Sequence, residues 1–346
     1  MPCVPDFHHA DANRPARVAV IAEIGVNHDG DPAVAQALIR AAAHAGADAV
    51  KFQLFRPADL LSADATLAAY QEGQADAPRD LLEKVALRTA ALGPLRDEAH
   101  AAGLAFVVTP FSVADVADLA ALKVDAVKIA SPDAVNPMLL EAASGLQRPM
   151  WVSTGTCEAS ELDDAAAHAV EADGALLQCV SSYPTPDHAA ALGGIAALRA
   201  RYPALRIGYS DHTADEDTGA LAVAAGACLL EKHLTHDPAA PGPDHAVSLD
   251  PVALGRYVAA AHRAAVRLGP ATKTCQTIEQ DVRAVSRQSL CAARDLPAGH
   301  RLAAGDLVVK RPGTGVPAAA YRATLGRTLA RPVTADRLLQ PADLRG

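Results

Sequence analysis

Aromatic residues are scarce in this chain: Phe, Tyr and Trp make up 3% of 346 residues, with a single Trp. Half the residues are apolar all the same, so the core must be aliphatic, which suits parallel strands packed under helices. A basic excess is also missing. Lys and Arg number 31 against 40 Asp and Glu, a net charge of −9 that argues against a general nucleic-acid binder. Any anionic ligand must then be held by a few local cations and amides. No apolar run approaches the ~20 residues that cross a membrane. The six cysteines (Cys3, Cys157, Cys179, Cys228, Cys275, Cys291) contain no C-x-x-C pair, and Cys179 and Cys228 fall inside apolar runs. They read as reduced residues of a cytoplasmic protein. Residues 1–17 hold Pro2, Pro5, Pro15 and a His8–His9 pair without an apolar stretch, and read as a disordered tail and not a signal peptide. No G-x-G-x-x-G follows the first apolar run, which removes the main support for an open dinucleotide-binding sheet.

What is present is an alternation. Strand-like runs at 18–25, 48–54, 105–111, 126–131, 150–155, 175–181, 206–212 and 228–235 are separated by Ala/Leu-rich helical patterns at 32–45, 80–102, 158–171, 217–225 and 251–268. Asp31–Pro32 and Asp250–Pro251 supply helix-start signals. Eight strand–helix units between residues 18 and 268 predict a (β/α)₈ TIM barrel.

Every one of these runs turns polar at its C-terminal end, where barrel enzymes keep their sites. The ends carry Glu23; Lys51 and Gln53; Thr109; Lys128 and Ser131; Ser153 and Thr154; Gln178 and Ser181; Ser210 and His212; Glu231 and His233. Side chains two apart on a strand point the same way. Adjacent seventh and eighth strands would therefore aim Ser210, His212, Glu231 and His233 at one spot, a pattern that suits a divalent metal beside a reacting carbonyl. Lys51 and Lys128 with the hydroxyls of Ser131, Ser153 and Ser210 form a candidate anion cradle. The plainer alternative pairs either lysine with Glu23 or Asp133 as a buried ion pair.

Residues 269–286 are of mixed polarity with few apolar residues and read as a linker with room for one helical turn. From Arg287 on the charge changes sign: ten Lys or Arg against four Asp or Glu make this piece +6, which leaves −15 on the first 286 residues. Short elements punctuated by "LPAGH", "AAGD" and "RPGTGVP" predict a small β-rich module over 287–346 that leans on another surface.

The stretches "IAEIGVNHDGD" (Ile21–Asp31), "AGADAVKFQ" (Ala45–Gln53), "TPFS" (Thr109–Ser112), "VKIASPD" (Val127–Asp133), "STG" (Ser153–Gly155), "YPTP" (Tyr183–Pro186), "GYSDHT" (Gly208–Thr213), "EKHLT" (Glu231–Thr235), "GPDH" (Gly242–His245) and "KRPGTG" (Lys310–Gly315) resemble, in this order, the sialic acid synthase family. The terminal module is similar to its antifreeze-like (SAF) domain. Ser181 stands where the family often carries Asn, and Asp133 where Glu is common.

The resemblance implies condensation of phosphoenolpyruvate with an N-acylated hexose aldehyde to a nine-carbon 2-keto sugar acid, with release of phosphate. N-Acetylmannosamine giving N-acetylneuraminate is the first expectation, and a 2,4-diacetamido-trideoxy hexose giving legionaminate or pseudaminate the second. It further implies that His212 and His233 hold a divalent metal, Mn²⁺ first with Mg²⁺ or Co²⁺ as alternatives. Lys51, Lys128, Ser131, Ser153 and Ser210 would surround phosphoenolpyruvate. Glu23, Tyr183 and Asp244 would hold the sugar, completed by Arg311 from the second subunit of a domain-swapped homodimer. The loop over 56–80 would lie over the sugar. The non-enzymatic alternative is an inactive sugar-phosphate-binding barrel with a docking module.

Overall fold

The computed structural model describes residues 18–66, 77–269 and 272–345. The tail expected at 1–17 lies outside them, as do the middle of the loop expected over 56–80 and the start of the expected linker.

Eight strands form a closed parallel barrel in sequence order: β1 Ala19–Gly25, β2 Ala49–Leu54, β3 Ala105–Pro110, β4 Ala126–Ile129, β5 Met150–Ser153, β6 Ala175–Cys179, β7 Arg206–Asp211 and β8 Leu229–His233. Closure runs through β1 and β8, with Glu23 level with His233 on one side and with Lys51 on the other. The helices that link the strands are α1 Pro32–Ala45, α2 Pro57–Leu60, α3 Pro78–Val85, α4 Thr89–Ala101, α5 Val113–Leu122, α6 Pro137–Ser144, α7 Asp163–Glu171, α8 Gly193–Arg201, α9 Thr218–Ala225 and α10 Pro251–Leu268. The Asp31 and Asp250 carboxylates accept from the first backbone amides of α1 and α10, which is why both helices start where the Asp–Pro signals place them.

Period-two alternation divides the sheet into two apolar layers. Val20, Ala22, Val50, Phe52, Phe106, Val108, Val152 and Leu176 face outward and pack under the helices. Ala19, Ile21, Ala49, Ala105, Val107, Ala126, Ala175, Leu177 and Leu229 face inward around Trp151. A ring of alanines leaves room for the one tryptophan to plug the barrel, which accounts for how so aliphatic a sequence fills its interior.

The helix expected over 80–102 is two helices. Ala86 and Arg88 are extended, and the break lets Val85 join an apolar cluster with Val26 and Phe55 while Leu87 turns into the main core. The helix expected over 158–171 likewise begins as a separate 3₁₀ turn, Ala159–Glu161.

The chain divides into two compact units, residues 1–269 and 270–346. In the second, β9 Ser289–Ala292 and β10 Leu307–Lys310 pair antiparallel over a core of Leu290, Leu296, Leu302, Leu329, Val333 and Leu339. Within the segment read as a linker, α11 Gln280–Ser286 forms and is tied to this unit by the Gly313 amide donating to the Ala284 carbonyl at 2.9 Å. A last short helix, α12, covers Tyr321–Thr324. Among the described residues no helix is long and apolar enough to cross a membrane.

Candidate active site

Above the Trp151 layer the inward positions change from apolar to polar and ionisable. They are Glu23 on β1, Lys51 and Gln53 on β2, Thr109 on β3, Lys128 on β4, Ser153 on β5, Ser210 on β7, and Glu231 and His233 on β8. One cavity at the C-terminal mouth is lined by these residues with Ser131, Tyr183, His212 and Asp244. The two remaining predicted residues lie elsewhere: Ser181 sits just behind the wall, and Arg311 belongs to the other unit.

Besides Ser181, two of the polar strand-end residues do not face the cavity. Gln178 points outward beneath α8, where its side-chain carbon lies 2.5 Å from the place a Cβ on Gly194 would occupy. The Thr154 hydroxyl donates to the Leu177 carbonyl at 3.0 Å within the wall. Between them the strand phase instead turns Cys179 inward, with its sulfur 3.7 Å from His212 Nδ1 and 3.5 Å from Ser131 Oγ. Sequence reading had placed that thiol in a core strand; its period-two relation to Leu177 was the available signal.

The cations and acids hold one another. Lys51 Nζ lies 2.8 Å from Glu23 Oε2 and 3.9 Å from Glu231 Oε1, and donates to Thr109 Oγ1 at 3.0 Å. Lys128 Nζ donates to Ser153 Oγ at 2.6 Å and to the Ile129 carbonyl at 2.9 Å, and lies 3.6 Å from Glu231 Oε2. The buried Lys51–Glu23 pair is thus real, and both partners line the cavity. Burial is the largest influence on Glu23 and pushes its carboxyl up; Lys51 opposes this and Glu231 adds to it. Burial also works to lower Lys51, but the Glu23 and Glu231 carboxylates outweigh it and hold the ammonium charged. For Lys128 burial wins and the ammonium is depressed. Burial would raise Glu231, yet Lys128 and Lys51 together keep it below its ordinary value.

Beside the lysines, Ser131 Oγ accepts from the Gly155 amide at 3.0 Å. A Cβ on Gly155 would come 2.3 Å from Ser181 Oγ and 2.9 Å from Ser131 Oγ, so only glycine lets the chain pass between the two hydroxyls. The Ser181 oxygen is buried without a hydrogen-bond partner among the described residues.

The two imidazoles stand 5.3 Å apart by ring centroid, with the Tyr183 ring 4.2 Å from His212. His212 Nδ1 lies 2.8 Å from the Val180 carbonyl and donates to it, so in the neutral ring the lone pair is on Nε2. Burial works to lower this imidazole, but the Cys179 sulfur and the Val180 carbonyl outweigh it and raise the ring above its ordinary value. Burial, and after it the positive neighbours His212, Lys51, Lys232 and Lys128, push His233 well below its ordinary value, and its Nδ1 is buried without a hydrogen-bond partner, 3.6 Å from Asp244 Oδ2. A neutral imidazole with an unpartnered nitrogen is the form that ligates a metal. Among the described residues no group of three or more His, Cys, Asp or Glu is arranged to hold an ion. Two imidazoles with open space beside them fit an exchangeable, catalytic-type site and not a closed structural one.

The cavity mouth carries a feature the sequence reading missed. Val26, Phe55, Leu60, Leu81, Leu82, Val85 and Phe111 form an apolar wall on the side of α2 and α3.

Comparison with known proteins agrees with this geometry. The NeuB family model matches residues 38–273 and the SAF domain model residues 287–345. An N,N'-diacetyllegionaminic acid synthase of Legionella pneumophila is 33% identical over 92% of each chain. One of Campylobacter jejuni is 33% identical over 94% of this chain and 99% of its own. Among solved structures, N-acetylneuraminic acid synthetase of Leptospira borgpetersenii, crystallised with citrate, is 33% identical, with a TM-score of 0.70 over 77% of this chain and 90% of that one. A closed eight-stranded barrel with an ionisable mouth, a C-terminal SAF domain and a family match across most of the barrel lead to one conclusion: this chain belongs to the NeuB family.

Proposed function

We propose that this protein condenses phosphoenolpyruvate with the aldehyde of an N-acylated amino hexose, forming a nine-carbon 2-keto sugar acid and inorganic phosphate. The observation that carries the reading is the convergence of two buried lysines, three serine hydroxyls, three carboxylates and two imidazoles in one cavity. An anion with both phosphate and carboxylate groups needs the first two sets, and carbon–carbon bond formation to an aldehyde needs the others.

In this reading Lys51, Lys128, Ser131, Ser153 and Ser210 bind the phosphate and carboxylate. The enol carbon C3 attacks the aldehyde carbon, water adds at C2, and the C2–O bond to phosphate breaks. Glu23, whose carboxyl burial pushes up, holds and releases the proton that this sequence moves. Tyr183 and Asp244 contact the sugar. His212 and His233 would hold a divalent cation, Mn²⁺ first; when bound, it supplies Lewis acidity toward the aldehyde oxygen. In a homodimer, Arg311 of one subunit's SAF domain completes the sugar site of the other, a docking that the +6 and −15 charges favour.

The apolar wall supports a diacetamido-trideoxy hexose as acceptor over N-acetylmannosamine. A C6 methyl and two acetamido methyls lose little by facing Phe55, Leu60 and Val85, whereas a hydroxymethyl group would leave a hydroxyl without a partner. The two relatives named as diacetyllegionaminic acid synthases point the same way.

The test is phosphate release from phosphoenolpyruvate with Mn²⁺ and a panel of acylated hexoses, each product identified by mass. Release that requires both sugar and metal, fastest with the trideoxy sugar, is expected. No release with any member overturns the reaction; faster release with N-acetylmannosamine overturns the choice of acceptor.

A further inference from the structure

Asp244 stands on the long connection between β8 and α10, and a loop of that length does not hold a carboxylate still by itself. The chain leaving β1 does it instead. Asn27, wholly buried, donates through Nδ2 to the Leu234 carbonyl at 2.9 Å and to Ser248 Oγ at 2.8 Å. Ser248 Oγ in turn donates to the Asp244 carbonyl at 2.5 Å.

On the other side His245, also wholly buried, spans the two loops. Its Nδ1 is 2.6 Å from Thr235 Oγ1 and its Nε2 is 3.2 Å from Asp29 Oδ1. Thr235 Oγ1 accepts from the Asp237 amide at 3.1 Å, and its one proton has two acceptors, the Asp237 carbonyl at 3.2 Å and His245 Nδ1 at 2.6 Å. Donation to the nearer Nδ1 leaves the Nε2 proton for Asp29. A Cβ on Gly242 would come 2.6 Å from the His245 ring, so the turn before Asp244 closes directly onto this imidazole.

We infer that Asn27, Asp29 and His245 are positioning residues, a clasp from the β1 loop that sets where the Asp244 carboxylate stands. The motifs "VNHD" and "GPDH" are then two halves of one device. None of the three lines the cavity, so they act on substrate only through the residues they hold, Asp244 first. This rests on the proposed contact of Asp244 with the acceptor sugar. The clasp governs the affinity for the sugar and leaves that for phosphoenolpyruvate, bound by Lys51 and Lys128, unchanged.

Wild-type turnover is measured first, then Asp29→Leu, Asp29→Asn and His245→Phe, with KM and kcat for the sugar and calorimetric titration of phosphoenolpyruvate. Displacing a substrate-positioning carboxylate by a fraction of an ångström should raise the sugar KM about tenfold in His245→Phe and Asp29→Leu. Asp29→Asn keeps an oxygen that accepts the Nε2 proton and should stay within about twofold of wild type. Asp29 is partly exposed, so its variants test the clasp even where His245→Phe does not fold. An unchanged sugar KM in Asp29→Leu overturns the clasp, and so does phosphoenolpyruvate affinity that falls in step with it. A wild-type protein that turns over no sugar overturns the reading of the site itself.

Discussion

Asp211 and Lys232 face each other across β7 and β8, 3.2 Å apart, with both side chains wholly shielded from solvent. Each directly precedes a candidate metal ligand, His212 or His233, whose side chain turns to the opposite, cavity side. Lys232 also donates to the Thr213 carbonyl and lies 5.5 Å from the centre of the Tyr257 ring, and Asp211 accepts from the Thr213 amide at 2.9 Å. The pair thus locks the strand ends whose inner faces carry the two imidazoles. Lys232→Met removes one charge and strands the other, which should destabilise the barrel by about 3–5 kcal/mol. Chemical denaturation measures it, and a loss under about 1 kcal/mol would show that Asp211 finds another partner.

The imidazoles stand at strand ends that the barrel's own hydrogen bonds fix, so a divalent ion held there in the proposed reading would not be needed for folding. A chelator should abolish turnover while the thermal melt stays where it was, and Mn²⁺ should restore activity. His233→Ala should bind no Mn²⁺ by calorimetry. Full activity in that variant would remove both histidines from the metal site.

Lys128 is depressed by burial and donates to Ser153 at the cavity wall, and in the proposed reading it gives a charge-assisted contact to the phosphate of phosphoenolpyruvate. Lys128→Met should weaken phosphoenolpyruvate binding by about 1.5–3 kcal/mol, or roughly ten- to 150-fold. Calorimetric titration reads this directly. An unchanged affinity would return Lys128 to a structural partner of Glu231.

Arg311 is tested by complementation. Arg311→Ala has an intact barrel and His233→Ala an intact SAF domain, and each should be inactive alone. Once subunits of the proposed homodimer exchange, half the dimers would be mixed and each would carry one good site, so about a quarter of wild-type activity per total site should return. Exchange without recovery would mean that Arg311 does not act across subunits.

In the C-terminal unit Asp306 accepts from Arg294 at 2.6 Å and from the Ala303 amide at 2.9 Å, and its Oδ2 lies 2.7 Å from His300 Nε2. These bonds, His300 first, hold its carboxyl down at about 2. A carboxyl depressed on folding stabilises fully above its unfolded value near 4, and the benefit fades as pH falls toward 2. The melting temperatures of wild type and Asp306→Ala should therefore differ at pH 6 and converge by about pH 2. A gap that persists at pH 2 would mean that the charge of Asp306 is not what stabilises the unit.

The sequence by itself determined the barrel and most of its mouth. Strand phase is a local property: Ile21 and Glu23, or Gly208, Ser210 and His212, share a face because successive side chains alternate, and eight such runs with helices between them admit one closed solution. That is why Lys51, Lys128, His212, His233 and their hydroxyl partners were legible before any coordinates. What only the tertiary structure decided are relations between distant loops. The Asp29–His245 bridge spans 216 residues and the Asn27–Ser248 bond 221, and neither leaves a periodic trace in the chain. The break at Ala86–Arg88 came from the competition of Val85 and Leu87 for two different cores, which propensity does not register. Gln178 and Cys179 are the exception on the sequence side: regular alternation from Leu177 already turns Cys179 inward and Gln178 out beneath α8, so their places were legible in the strand phase. The apolar wall is made by Phe55, Leu81 and Phe111 meeting from separate segments, and burial of that kind depends on who the neighbours are.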